Sequence, residues 1–402
     1  LKNILVVGPL LSISGYGYHS RQIFDYFFNQ SNVKVSCAIL PWGNTSWFVN
    51  KTSEDGLIGN IIDTAVDIKS ISHSEYDLAI HIQLPNEWNT TFANKNIGVS
   101  AYVETDICSK TWIDKTLSMD LVVVPSIFTK DVILNSSSNI SQREHLDKKV
   151  KVVAEYYHVN FDKEEKSECL NLNSLLSGIN TGFNYLSVGQ LTSESEVCDR
   201  KNLIETLRYF CNHFKDNKDV GLILKTSIGR STTHDKDKTK DIFSNIIKQI
   251  KGNSEYPKVY IMHGDLAIDE LYTLYSHDKV NCYLTLTKGE GYGLPLLESA
   301  RCGLPVIATN WSGHLDFLGK DFLEVDYDLV PIPDEKIDNN IFVKNSKWAK
   351  VKKDSVIKQL EYSHKNHNKI KEKSKELSRK IIEKFCKEKV VKKYDKIFKE
   401  YI

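Results

Sequence analysis

KGEGYGLPLLESARCGLPVIA, residues 288–308, is the stretch on which the fold turns. It follows an apolar run at 280–286 that predicts a strand, and Leu294 to Arg301 reads as the first turns of a helix. Pro295 stands near the first helical position, where a missing N–H does no harm. Gly289, Gly291 and Gly293 fill the join between strand and helix, with Glu290 and Tyr292 among them. Such a loop aims free backbone N–H groups and the positive end of a helix dipole at one spot, which suits phosphate or sugar oxygens. Glu298 falls about a turn into the helix. At roughly 1.5 Å per helical residue, the two carboxylates lie on the order of 10 Å apart and would grip two parts of one elongated ligand. The plain alternative is a capped surface helix with solvated glutamates.

A chain of 402 residues suggests two domains. The net charge of +1 gives no basic field of the kind that binds nucleic acid. Its eight cysteines are scattered without a CxxC pair or metal spacing, and read as reduced thiols of a cytoplasmic chain. No apolar run approaches the ~18–20 residues of a membrane span. ILVVGPLL, residues 4–11, lacks a basic leader and reads as a first buried strand rather than a signal peptide.

The first half alternates short apolar runs with amphipathic stretches, the pattern of a parallel sheet covered by helices. Strands are predicted at 4–7, 33–40, 78–82, 97–102, 121–124 and 150–154, with a helix at 18–28. A polar segment at 162–181 reads as a linker. The alternation restarts with strands at 183–188, 220–225, 258–262, 282–286 and 305–308, and a helix at 202–214. Residues 230–240, rich in Thr, Asp and Lys, read as a mobile surface loop. The divisions expected are 1–165, 182–345 and a helical segment, 346–402, packing back on the domains. That last segment is lysine-rich, with an apolar stripe at Ile370, Leu377, Ile381, Phe385, Val391, Tyr394 and Phe398. Its basic face is the one candidate for peripheral contact with anionic lipid.

Residues 288–308 resemble the Glu-x7-Glu signature of retaining glycosyltransferases of the GT-B fold, the glycosyl transferases group 1 family. The resemblance implies an α/β architecture of two Rossmann-like domains whose parallel sheets face a central cleft, with the last helix crossing back. It also implies that Glu290 and the amides of Gly291, Tyr292, Gly293 and Leu294 face the donor sugar, while Glu298 holds the ribose of a nucleoside diphosphate. The family's basic pair near the diphosphate is usually an Arg just after a Gly, then a Lys. Here Gln190 follows Gly189, so Lys201 is the matching lysine, with Arg200 or Lys225 supplying the second charge.

Gly15 and Gly17 follow the first strand and resemble the family's first glycine loop; a plain strand-to-helix turn is the alternative. They lack the full GxGxxG of a dinucleotide fold, which weakens an NAD-binding reading. Glu104 and Asp106 stand where many family members have a His, resembling a subgroup with Glu-Thr-Asp before a Trp, here Trp112. A carboxylate there could orient an acceptor hydroxyl or take its proton; helix capping by Thr105 or Asp106 competes. His81 reads as a buried strand histidine, and His263-Gly264-Asp265 as a segment near the nucleotide base. Asn310-Trp311-Ser312-Gly313-His314 could shape the donor pocket or be a turn around a packed Trp. Asp326-Tyr327-Asp328 imitates a metal motif of the other glycosyltransferase fold, but no other ligands cluster with it.

The resemblance therefore implies a retaining, metal-independent hexosyltransferase without cofactor. Its expected partners are a UDP- or GDP-sugar donor and a glycan, lipid-linked or protein acceptor, not nucleic acid. The competing expectation is a catalytically silent GT-B protein that binds a nucleotide sugar or glycan. Trp47, Trp88 and Trp112 could stack on an acceptor glycan or lie in the core.

Overall fold

The computed structural model describes residues 1–163 and 169–402, and divides the chain into two units. Unit 1 comprises 1–155, 337–346 and 388–402; unit 2 comprises 156–336 and 347–387. Part of the stretch read as a linker, 164–168, lies outside the described residues, and another part of it is helical.

In unit 1 the strands are β1 (Lys2–Gly8), β2 (Val33–Ile39), β3 (Tyr76–Ile82), β4 (Ala93–Val99), β5 (Leu121–Val124) and β6 (Val150–Val152). They form one parallel sheet in the order β2-β1-β3-β4-β5-β6. Its helices are α1 (Gly15–Phe28), α2 (Leu57–Asp63), α3 (Lys110–Ser118), α4 (Ile127–Asn135) and α5 (Ile140–Lys149). Near-continuous apolar runs such as 4–7 and 121–124 are what a sheet buried on both faces demands. Ser14 starts α1 by accepting the Gly17 N–H, and Ile23, Phe24 and Phe27 turn inward at helical spacing. The strand read at 97–102 stops at Val99, because Tyr102 takes a left-handed backbone with φ 54°.

Unit 2 begins with α6 (Leu170–Ser177) and repeats the plan with β7 (Phe183–Val188), α7 (Leu203–His213), β8 (Val220–Thr226), α8 (Thr233–Lys251) and β9 (Lys258–His263). It continues through α9 (Ile268–Ser276), β10 (Cys282–Thr285), α10 (Leu294–Arg301), β11 (Val306–Thr309), α11 (Leu315–Leu318) and β12 (Leu323–Val325). The second parallel sheet runs β12-β11-β10-β7-β8-β9. Leu203, Leu207, Phe210 and Cys211 form one buried face of α7 and share a core with Tyr185, Leu222 and Leu284. Each large apolar side chain so buried contributes about 1.5–3 kcal/mol.

The loop expected at 230–240 is largely helix. Thr232 caps α8 by accepting the Asp235 N–H, and the Asp235 carboxylate accepts from the Thr232 hydroxyl and the Arg230 N–H. The polar composition there is the exposed side of an amphipathic helix that buries Phe243.

After β13 (Tyr327–Pro331) and its antiparallel partner β14 (Lys347–Val351) come α12 (Lys353–Lys365), α13 (His367–Phe385) and α14 (Lys387–Phe398). The expected stripe is turned inward, with Ile370, Leu377, Ile381, Tyr394 and Phe398 buried. Val390, not Val391, is the fully buried valine of α14. No helix among the described residues is long and apolar enough to cross a membrane.

Candidate active site

In unit 2 the strand order reverses between β7 and β10, so the loops leaving these strands diverge from a switch point, the usual ligand position in open α/β sheets. The loop after β7 is organised by buried Asp199, which accepts the Thr192 hydroxyl at 2.8 Å and the Leu203 N–H at 2.6 Å. It carries Arg200 and Lys201 at its tip. Several bonds tie it to the loop after β10, among them the Lys288 N–H to the Arg200 carbonyl at 2.9 Å and the Asn202 side-chain amide to the Leu286 carbonyl at 2.9 Å.

Glu290 lies between those loops and is only 8% exposed. Lys201 Nζ donates to both of its carboxylate oxygens at 2.7 Å, and Arg200 Nη1 stands 3.8 Å from Oε2 while donating to the Gly289 carbonyl at 2.7 Å. Burial alone would raise this carboxyl. The Lys201 and Arg200 charges outweigh it and hold the pKa at about 2. Gly293, with φ 98°, is the left-handed residue that opens α10, a conformation only glycine adopts without strain.

Glu298 sits inside α10, 5% exposed, with no ion-pair partner among the described residues. Burial pushes its pKa up to about 8. An acid held neutral near a helix start can donate a hydrogen bond as well as accept one, which suits a diol.

Lys225 is the penultimate residue of β8, one strand over from β7. Burial lowers its pKa against the pull of Asp265, and it makes no ion pair among the described residues. The geometry thus brings Arg200, Lys201 and Glu290 together and leaves Lys225 outside that cluster. His263 closes β9 with both ring nitrogens buried and without hydrogen-bond partners among the described residues.

In unit 1, Gly17 is required by close approach: a Cβ there would meet the Ser12 carbonyl oxygen at 2.0 Å. Gly15 faces open space. Tyr16 between them accepts the Ala101 N–H at 3.0 Å, shares a 2.8 Å bond with Ser100 Oγ and stacks on Trp42 with ring centroids 4.1 Å apart. Glu104 and Asp106 lie in the bend between β4 and α3. They do not cap α3; Ser109 does, accepting the Trp112 N–H. Glu104 is close enough to act electrostatically on the Tyr16 phenol. Trp88 and Trp112 are core residues, whereas Trp47 is 40% exposed. His81 is buried against the Asn96 side chain, and burial lowers its pKa to about 4. Asp328 pairs with Lys352 at 3.1 Å on β13. Asp199 was not singled out from sequence; its signal was an Asp four residues ahead of a helix start.

The fold has counterparts. The chain has 13% identity and a TM-score of 0.63 to a glycosyltransferase from Rickettsia africae, covering 100% of this chain and 98% of that one. Against Anabaena HepE in complex with UDP-glucose the TM-score is 0.66 at 11% identity, with 100% of both chains covered. For sucrose-phosphate synthase from Thermosynechococcus elongatus it is 0.61 at 10% identity, over 100% and 99% of the two chains. The fold is therefore GT-B. No curated protein matches at the level of sequence. Residues 245–328, within unit 2, match the family model described as glycosyl transferases group 1.

Proposed function

We propose that the protein is a retaining hexosyltransferase that moves a sugar from a nucleoside diphosphate to an acceptor hydroxyl, without a metal. The observation that carries this reading is Glu290, ionised and buried between Lys201 and Arg200 at the start of a glycine loop. As the glycosidic bond breaks, the leaving diphosphate gains negative charge. Cations fixed at that point stabilise the transition state more than the ground state, and in this reading Lys201 and Arg200, which flank Glu290, supply them. Glu290 and the amides of 291–294 then position the sugar, and Glu298 holds the ribose.

Retention without a separate nucleophile suits attack on the face the diphosphate leaves, with the leaving phosphate helping to take the acceptor proton. Glu104 and Asp106 are the acceptor-side carboxylates of this reading. The acceptor is a glycan, a lipid-linked saccharide or a protein hydroxyl. For a lipid-linked one, the outward lysines of α13 and α14 are the surface that would meet anionic lipid. The compartment of this reading is the cytoplasm.

The test is thermal stabilisation by UDP, GDP, ADP, NAD and common sugar conjugates, followed by transfer in the presence of a chelator. A ligand that binds only the folded state raises Tm by mass action. The expected result is a shift with one nucleoside diphosphate and its sugar, with turnover that survives chelation. HepE, solved with UDP-glucose, makes UDP-glucose the first probe. Binding without turnover over a broad acceptor panel would mark a silent sugar-nucleotide binder, and a response to NAD alone would overturn the reading.

A further inference from the structure

The loop that carries Glu290 has glycines on both sides of it, so its own backbone does little to fix it. What holds it comes from another loop, 310–314, between β11 and α11. The Glu290 N–H donates to Ser312 Oγ at 2.9 Å, and the Gly313 N–H donates to the Glu290 carbonyl at 2.9 Å. Both polar groups that Glu290 contributes to the backbone are thus engaged by consecutive residues.

The bracket is itself supported. His314 Nε2 lies 2.8 Å from the Thr309 carbonyl oxygen, which can only accept, so Nε2 carries the proton. In the neutral ring Nδ1 is then an acceptor, and Ser312 Oγ stands 3.5 Å from it. Burial lowers the pKa of His314 and keeps the ring neutral. The serine hydroxyl can therefore point its proton at Nδ1 while its lone pair takes the Glu290 N–H. Thr309, in turn, donates its hydroxyl to the Thr287 carbonyl at 2.8 Å, closing the chain of bonds back on the strand end before Glu290.

Two backbone features show how tightly the two loops are fitted. A Cβ on Gly313 would stand 2.2 Å from the Gly291 carbonyl oxygen and 2.9 Å from that of Glu290. Ser312 adopts φ 89°, a left-handed backbone that a serine holds only under strain. A turn that merely had to reverse direction around Trp311 would be better served by glycine at 312. The strained residue is instead the one whose hydroxyl meets Glu290.

We propose that Ser312, Gly313 and His314 form a positioning clamp that fixes the Glu290 peptide, and through it the Glu290 carboxylate, against the donor sugar. The catalytic part of this inference rests on the transferase reading above; the clamp itself rests on the hydrogen bonds alone. Ser312 and His314 touch no reacting atom, and they act through Glu290.

The test compares Ser312→Ala and Ser312→Gly in the full-length chain with the wild type. Amide hydrogen exchange is followed on peptides spanning 288–294 without ligand, and turnover is measured with UDP-glucose and GDP-mannose. Loss of the hydroxyl is expected to speed exchange at Glu290 about five- to tenfold in both variants. Displacement of the carboxylate is expected to lower kcat by about 10- to 100-fold, with KM for the donor changed by about threefold or less. Ser312→Gly relieves the strained φ, so a residue needed only for turn geometry would show wild-type or better turnover in that variant, and this result would overturn the proposal. Unchanged exchange at 288–294 in both variants would overturn it equally. A wild type inert towards both donors, with exchange that still responds to Ser312→Ala, would refute the transferase reading with these donors and keep the clamp.

Discussion

Beyond β10 of unit 2 a buried carboxylate is held between a lysine and an arginine; beyond β1 of unit 1 stand a phenol, an indole and a row of hydroxyls. Both lie at the carboxyl edge of a six-stranded parallel sheet beside a switch in strand order, which leaves two strands and four on its sides in unit 1 and three and three in unit 2. A parallel sheet with a switch point is common to both, so it is not what distinguishes them. In unit 2 the flanking loops deliver ions and amides, which suit a charged diphosphate. In unit 1 the hydroxyls pair with one another, Ser12 with Ser14 and Thr45 and Tyr16 with Ser100, a neutral network beside the Trp42 ring. One backbone plan serves two chemistries because the loops, not the strands, carry the polar groups.

The contrast is broken most directly at Glu290. Glu290→Gln removes the charge of the unit 2 edge, and transfer is expected to fall on the order of 100- to 1,000-fold, read as kcat with the donor that stabilises the wild type. Near-normal transfer would leave unit 2 with no catalytic claim over unit 1.

Next in size is a pH effect carried by Glu298 of unit 2. Glu298 titrates near 8 when folded against an ordinary value of 4.5, so between those values the folded chain keeps a proton that the unfolded chain has lost. Stability then falls as pH rises through that window, on the order of 1 kcal/mol per pH unit. Glu290, depressed to about 2, works in the opposite sense and only in acid, its contribution being lost as pH falls from 4.5 through 2. Urea unfolding between pH 5 and 8, with and without Glu298→Gln, reads the difference on an order-of-magnitude scale. A wild-type slope that survives the substitution would assign it to another group.

Unit 1 should respond to shape rather than charge. Gly17→Ala drives a methyl against the Ser12 carbonyl and should cost about 1–3 kcal/mol, whereas Gly15→Ala, pointing into open space, should stay within about 0.5 kcal/mol. Equal melting temperatures for the pair would remove the distinction between the two glycines. The smallest effect sharpens the description of unit 2. Thr232→Ala removes the α8 cap and should cost about 1 kcal/mol, visible as faster exchange in the first turn of α8.

Those positions also show what could be read in advance. The alternation of apolar runs gave nearly every strand of both sheets, because a strand buried on both faces has no room for polar residues. The glycine join between β10 and α10 was legible too, because a helix opened by a left-handed residue calls for glycine, here Gly293. The start of α8 was not: its polar residues look like loop until Thr232 and Asp235 are seen to cap each other. Lys201 was read as the matching lysine and Lys225 or Arg200 as the second charge; the choice between those two depends on which loop each occupies, and Arg200 is the one beside Glu290. Ser312 was visible as part of a conspicuous string. Its bond to Glu290 spans 22 residues of sequence and depends on a backbone angle that composition does not encode.

The stretch 388–402 returns to unit 1, where Tyr394 and Phe398 pack on Tyr26 and Phe27 and Asp395 accepts the Tyr26 hydroxyl at 3.1 Å. The insertion 337–346 does the same, with Ile341 and Phe342 against the α3–α4 side of that core. On the ribosome these pieces emerge only after 156–336, and the last of them after all of unit 2. The domain begun first is thus the one finished last, and during synthesis the aromatic face of α1 must wait, uncovered, for its final helix.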